Sequence, residues 1–261
     1  MKLKILEKPF RHLDIVVYRT RAQLKAESQN NYLGYLWFVL EPALMTAVLY
    51  FVFGFLMGNR GPEMVLFILT GILIFQWFNT AFNAGIGGIR AKIGILRTIA
   101  IPKYLFPLVN ILAESWKFFW VFLVLVLLAN LIGFPVNEAY LHLPLLSTVM
   151  LLFIVGMTLP FSVIVAFMPD FTTLTNSVLR LLFFLSGIFY GLEVVPENLH
   201  SVFLSNPIAL LMNGYRAILI EGVPPDGGQV FYCFLWGIVG LGIGMVGSRL
   251  ADGRIIKAVS Q

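Results

Sequence analysis

The chain has 261 residues, of which 59% are hydrophobic and 12% charged, and its mean hydropathy is +0.89. A soluble domain carries about 25% charged residues, so a water-soluble enzyme or binding module is excluded. The formal net charge is +5, but Lys and Arg gather between long apolar runs, which reads as membrane topology and not as nucleic-acid binding.

In chain order, residues 1–35 are polar and basic. Leu13, Val17 and Leu24 recur at spacings of four and seven, while Arg19, Arg21 and Lys25 lie elsewhere on the wheel. That pattern predicts a helix lying in the cytoplasmic membrane interface. Six apolar runs then have the length of a spanning helix: 36–57, 64–85, 104–132, 145–168, 174–192 and 230–246. A run such as FFWVFLVLVLLANLIGF does not alternate, so helices and not barrel strands are predicted. With the N-terminus inside, inner segments hold fourteen of the eighteen Lys and Arg: seven before the first run, four in 86–103 and three after the last. Both termini and the 86–103 loop are thus predicted to be cytoplasmic. The charged N-terminus lacks the early apolar core of a cleavable signal peptide.

Few polar groups interrupt the runs. Glu41 precedes Pro42 in the first and either reaches the interface or faces protein or water. Glu114 and Lys117 stand three apart on one face of the third, where they neutralise each other or relay an ion. Arg180 in the fifth either reaches the interface near Asp170 or meets an anionic substrate along a wet path. Residues 193–229 are broken at Asn206-Pro207 and Asn213-Gly214, which predicts two short segments dipping in from outside, a natural gate.

No phosphate loop, nucleophile elbow or metal-ligand spacing is present, and the single cysteine, Cys233, can form no internal disulfide. This argues against catalysis by the chain itself and against a membrane enzyme acting on lipid-linked sugars. Sparse membrane charge weighs against an ion-coupled carrier. Many of the 24 Phe, 9 Tyr and 5 Trp cluster near span ends, as interfacial belts, as packing against lipid and neighbouring helices, or as the wall of a channel over which sugar rings slide.

NYLGYLWFVLEPALM (31–45), the basic loop after the second run, LSGIFYGLEVVPENL (185–199) and SNPIALLMNGYRAIL (205–219) together resemble the permease subunits of ABC-2 type exporters for capsular polysaccharide, O-antigen and teichoic acid. The resemblance covers nearly the whole chain. It implies one all-α permease domain over 1–261, in a bacterial inner membrane, that moves a lipid-linked glycan outward. It implies a homodimer with two separate ATPase subunits, which use ATP and Mg; this chain binds no cofactor, metal or nucleic acid. Export components beyond the membrane are further expected partners. Arg90, Lys92, Ile93, Ile95, Leu96, Arg97 and Lys103 would form or flank a coupling helix docked on the ATPase. Trp37, Phe38, Phe183, Phe184 and Tyr190 become candidates for the channel wall. Pro196, Asn206, Pro207 and Arg216 belong to the outer gate. A permease of the same superfamily for a small drug or lipid is the alternative.

Overall fold

The computed structural model describes residues 9–30, 36, 40, 44, 48, 51–52, 61–92, 94 and 102–251. Among these residues the chain is helical, with no strand. The expected first span, with Trp37, Phe38 and Glu41, lies almost wholly outside them, as do Ile93, Ile95, Leu96 and Arg97 of the loop.

Helix α1 (Pro9–Asn30) packs along the helix Leu105–Leu131. Among its described side chains Val16 and Leu24 are the buried apolar ones, and Val16 meets Leu105 and Val109. Val17, expected on the apolar stripe, is 44% exposed. Adjacent helical residues point about 100° apart, so a face centred on Val16 turns Val17 away.

Helix α2 (Pro62–Ile86) starts with proline in its first turn, where a missing N–H costs nothing. It is the most enclosed of the long helices, with Leu66, Ile68 and Ile74 fully buried. A single turn, α3 (Gly88–Ala91), follows. Its Ile89 is buried with Phe106, Ala166 and Ala251, which ties the start of the 86–103 loop to the base of the bundle.

Helix α4 (Leu105–Leu131) is about 40 Å long at 1.5 Å per residue, more than a hydrocarbon core of about 30 Å. Phe118, Phe122 and Leu125 face inward, while Trp116, Trp120 and Leu127 stay exposed. Asn137 caps the turn Glu138–His142 by accepting from the Ala139 N–H, and α5 (Leu143–Phe167) continues from it.

Helix α6 (Phe171–Leu185) has 15 residues, about 22 Å. The expected span 174–192 is therefore cut short. Apolar residues continue past Leu185, but Gly187 takes a left-handed φ of 72° and turns the chain. The backbone then passes through the turns Leu192–Val194 and Glu197–Leu199 into α7 (His200–Leu204) and α8 (Pro207–Arg216). Asn206 breaks the path as expected, its side chain accepting from the Ile208 N–H. Asn213-Gly214 does not break it. Gly214 sits inside α8, where a Cβ would crowd Leu146, so this glycine serves close packing. One π turn, Ala217–Glu221, ends at Gly222 with φ 70°.

Helix α9 (Gly227–Leu250), capped by Asp226 accepting from the Gln229 N–H, runs parallel to α5. Gly156 faces Gly237 and Gly240 across the contact, and Gly244 meets Leu159 and Pro160. A Cβ at Gly156 would strike the Gly237 carbonyl. Small residues let two backbones approach, which is how helices associate where no hydrophobic drive operates between them. Among the described residues four helical segments are long and apolar enough to cross a membrane: Pro62–Ile86, Leu105–Leu131, Glu138–Phe167 and Gly227–Leu250.

Candidate functional site

The later half of α2 and the face of α6 opposite Leu182 and Leu185 enclose a cleft of about 350 Å³. Phe75, Asn79 and Asn83 line it from α2; Asn176, Arg180, Phe183 and Phe184 line it from α6. Because α2 ends and α6 begins at the pole of the 86–103 loop, the cleft lies in that half of the bundle. Asn79 and Asn83 are one helical turn apart, as are Asn176 and Arg180, so each pair projects from one face. The Asn83 amide donates to Asn79 Oδ1 at 2.9 Å, and Asn83 Oδ1 is buried with no hydrogen-bond partner among the described residues. Phe75 and Phe183 pack edge to face, their ring centres 5.3 Å apart. Two of the expected wall residues, Phe183 and Phe184, thus meet here, joined by three asparagines that hydropathy alone had hidden.

Arg180 is exposed on this cleft. No ion pair joins it to Asp170, the interfacial partner considered from sequence. No carboxylate lines the cleft among the described residues.

Tyr190 lies elsewhere. With Asn206 and Pro207 it lines a second cavity, of about 630 Å³, on the other side of α6. Phe78, Met157, Phe203 and Trp236 give this cavity an apolar wall. Its polar groups are already engaged: the Tyr190 hydroxyl donates to the Phe184 carbonyl at 2.9 Å, and the Asn206 amide donates to Ser186 Oγ at 3.0 Å. Pro196 opens the turn Glu197–Leu199 on the same side.

Arg216, expected at the gate, is 4% exposed. Its guanidinium donates to the carbonyls of Gly187 and Ile188, each at 2.9 Å, and of Phe67 at 3.3 Å. It also stacks over the Phe67 ring, 3.4 Å from the centre. The planar fork suits several acceptors at once. One side chain therefore fastens α8 to α2 and to the turn that ends α6. That turn is why the fifth apolar run stops early.

Lys117 is buried between two carboxylates. It donates to Glu114 at 2.7 Å, as the spacing of three predicts, and pairs with Glu27 of α1 at 2.5 Å. Gln23 donates to Glu27 at 3.0 Å and orients it. Sequence spacing could find Glu114 but not Glu27, which arrives only when α1 docks. Next to this cluster the Trp77 indole donates to Ser115 at 3.0 Å and stacks on Phe118 at 4.1 Å.

In the 86–103 loop, Arg90 and Lys92 are exposed while Lys103 is buried. Among the described residues no group of three or more His, Cys, Asp or Glu could hold a metal ion.

The sequence pattern of ABC-2 type transporters matches residues 17–220. The O-antigen export system permease protein RfbA of Klebsiella pneumoniae is 26% identical over 210 residues, covering 80% of this chain and 81% of its own length. The polysialic acid transport protein KpsM of Escherichia coli is 26% identical over 230 residues, covering 87% of this chain and 89% of its own. The capsule polysaccharide export inner-membrane protein CtrC of Neisseria meningitidis is 26% identical over 194 residues, 72% of each chain.

Proposed function

Because the chain belongs to the ABC-2 type transporter family, we propose that it is the permease subunit of an ATP-driven exporter carrying a lipid-linked polysaccharide, of capsule or O-antigen class, outward across the cytoplasmic membrane. The names of its relatives support the substrate class. The observation that carries the reading in this chain is the cleft between α2 and α6. Aromatic faces offer sugar rings flat apolar contact, and amides offer their hydroxyls both donors and acceptors. A polymer that must move stepwise needs many such contacts, each weak.

In this reading one permease domain spans residues 1–261, crosses the membrane six times and keeps both termini in the cytoplasm. The segment 193–229 is the outer gate, and two copies pair around the path. Two separate ATPase subunits bind and hydrolyse ATP with Mg; this chain does no covalent chemistry. Arg90 and Lys92, exposed beside the anchored Ile89, belong to the surface that receives their movement. ATP binding shifts the permease because the closed ATPase pair favours one of its two states.

Deleting the chain tests this directly. Glycan made but trapped inside on its lipid is the expected result, and glycan never made would point to an enzyme. Normal surface glycan would overturn the proposal. It would favour a second reading that the 630 Å³ apolar cavity supports, a permease for a small lipid or drug.

A further inference from the structure

We propose that the α2–α6 cleft is an anion-selecting subsite, in which Arg180 holds a carboxylate or phosphate while Asn83 and its neighbours hold the hydroxyls of an adjoining sugar. The inference rests on the exporter reading and specifies its substrate. Four observations carry it. The cleft contains one cation and, among the described residues, no acid in its lining. Arg180 stands exposed on it, in contrast to Arg216, which is buried with both terminal nitrogens donating to carbonyls. Asn83 Oδ1 is a buried acceptor with no donor among the described residues. Whichever way the two amides are assigned, the Asn79–Asn83 pair uses one donor and one acceptor and leaves an acceptor and an amino group over. A buried amide acceptor left unmatched is costly, and a turn of the Asn83 side chain toward the cleft as a saccharide enters gives it a hydroxyl donor.

The wall supplies the rest. Phe75 and Phe183 give an apolar face on the same cleft, the complement of the C–H side of a sugar ring. A cleft of about 350 Å³ falls at the low end of the roughly 300–1,000 Å³ of small-molecule sites. It therefore holds a unit or two of a chain and not the polymer. A guanidinium presents its donors as a fork that matches either planar carboxylate or phosphate oxygens. The anion thus comes from an acidic sugar of the repeat or from the phosphate that joins glycan to lipid.

The test uses the permease with its ATPase partner, purified in detergent, and ligand-observed NMR with three probes: a hexuronate oligosaccharide, the same oligosaccharide with its carboxylates reduced to alcohols, and a short-chain prenyl diphosphate. The wild-type complex is expected to bind an anionic probe at least about tenfold more tightly than the neutral one, the scale of a charge-assisted hydrogen bond. Arg180→Gln removes that preference, and Arg180→Lys restores part of it. Asn83→Leu, close in shape, weakens both saccharides severalfold and leaves the prenyl diphosphate unchanged. Loss confined to the hexuronate assigns the anion to the sugar; loss confined to the diphosphate assigns it to the linking phosphate; either upholds the subsite. Equal binding of charged and neutral saccharide, with the diphosphate indifferent to Arg180→Gln, would overturn the inference and leave the exporter reading standing. Failure of every probe to bind the wild-type complex would likewise overturn the inference, while the exporter reading is decided by the surface glycan of the deletion.

Discussion

Two arginines sit at comparable places in the apolar sequence and live in opposite surroundings. Around Arg216 the chain closes completely: three carbonyls and an aromatic ring use the guanidinium, and Gly71 leaves no room for a Cβ beside it. Around Arg180 the packing stays open and, among the described residues, no carboxylate lines the space. A buried cation whose terminal nitrogens are held by carbonyls is a fastening, whereas a cation on an open cleft is available to a ligand. Charge within an apolar run is therefore not one signal but two, and only the surrounding acceptors tell them apart.

Breaking the closed region should have the largest effect. Arg216→Leu leaves the carbonyls of Gly187, Ile188 and Phe67 without their donor, and is expected to cost about 3 kcal/mol or more, since each unmatched buried group costs about 1–3 kcal/mol. The thermal midpoint of the detergent-solubilised protein measures this. Arg216→Lys should recover little, because a point ammonium cannot serve three acceptors as a fork does. Gly71→Val attacks the same place from the other side. Its Cβ meets the guanidinium and the Ile188 carbonyl, and overpacking of this kind costs about 1–3 kcal/mol. Wild-type stability in that variant would show that the seam around Arg216 can relax.

Smaller effects come from the partly open parts. Glu27 is 37% exposed, and Lys117 keeps Glu114 when it is lost, so Glu27→Gln should cost at most about 1 kcal/mol. A double-mutant cycle with Lys117→Met isolates that pair. Arg180→Gln should change stability by less than about 0.5 kcal/mol, yet export measured as surface glycan should fall. A large loss of stability in Arg180→Gln would erase the contrast between the two arginines.

Hydropathy made most of the fold legible. The runs 64–85, 104–132, 145–168 and 230–246 correspond to α2, α4, α5 and α9, because a long apolar run in lipid has helix as its stable solution. The fifth run misled at its end, since hydropathy counts Ile188 and Phe189 as spanning residues. The turn there depends on Gly187 and on acceptors offered to an arginine far along the chain. Gly214 failed in the opposite way, because a glycine that permits close packing looks in sequence like a glycine that breaks a helix. At the site, Phe183, Phe184 and Arg180 were legible as residue types in a family pattern. Asn79, Asn83 and Asn176 were not singled out, although polar pairs one turn apart inside apolar runs were there to be read. Tyr190 was grouped with Phe183 and Phe184, yet the turn after Leu185 carries it into the apolar cavity. Glu27 carried no local signal, for its partner is set by tertiary docking alone.

That docking has a consequence for how the protein is made. Glu27 leaves the ribosome long before Lys117, and the surface that covers Val16 is on α4, which is not yet inserted when α1 is complete. Until α4 enters the bilayer, α1 has neither its ion pair nor its apolar seat, and Lys117 travels inward with Glu114 as its single counter-charge from the same helix. Nascent chains halted before residue 105 should thus leave α1 open to added protease, and chains halted after α4 has emerged should shield it. The membrane helix that secures α1 is one synthesised well after it.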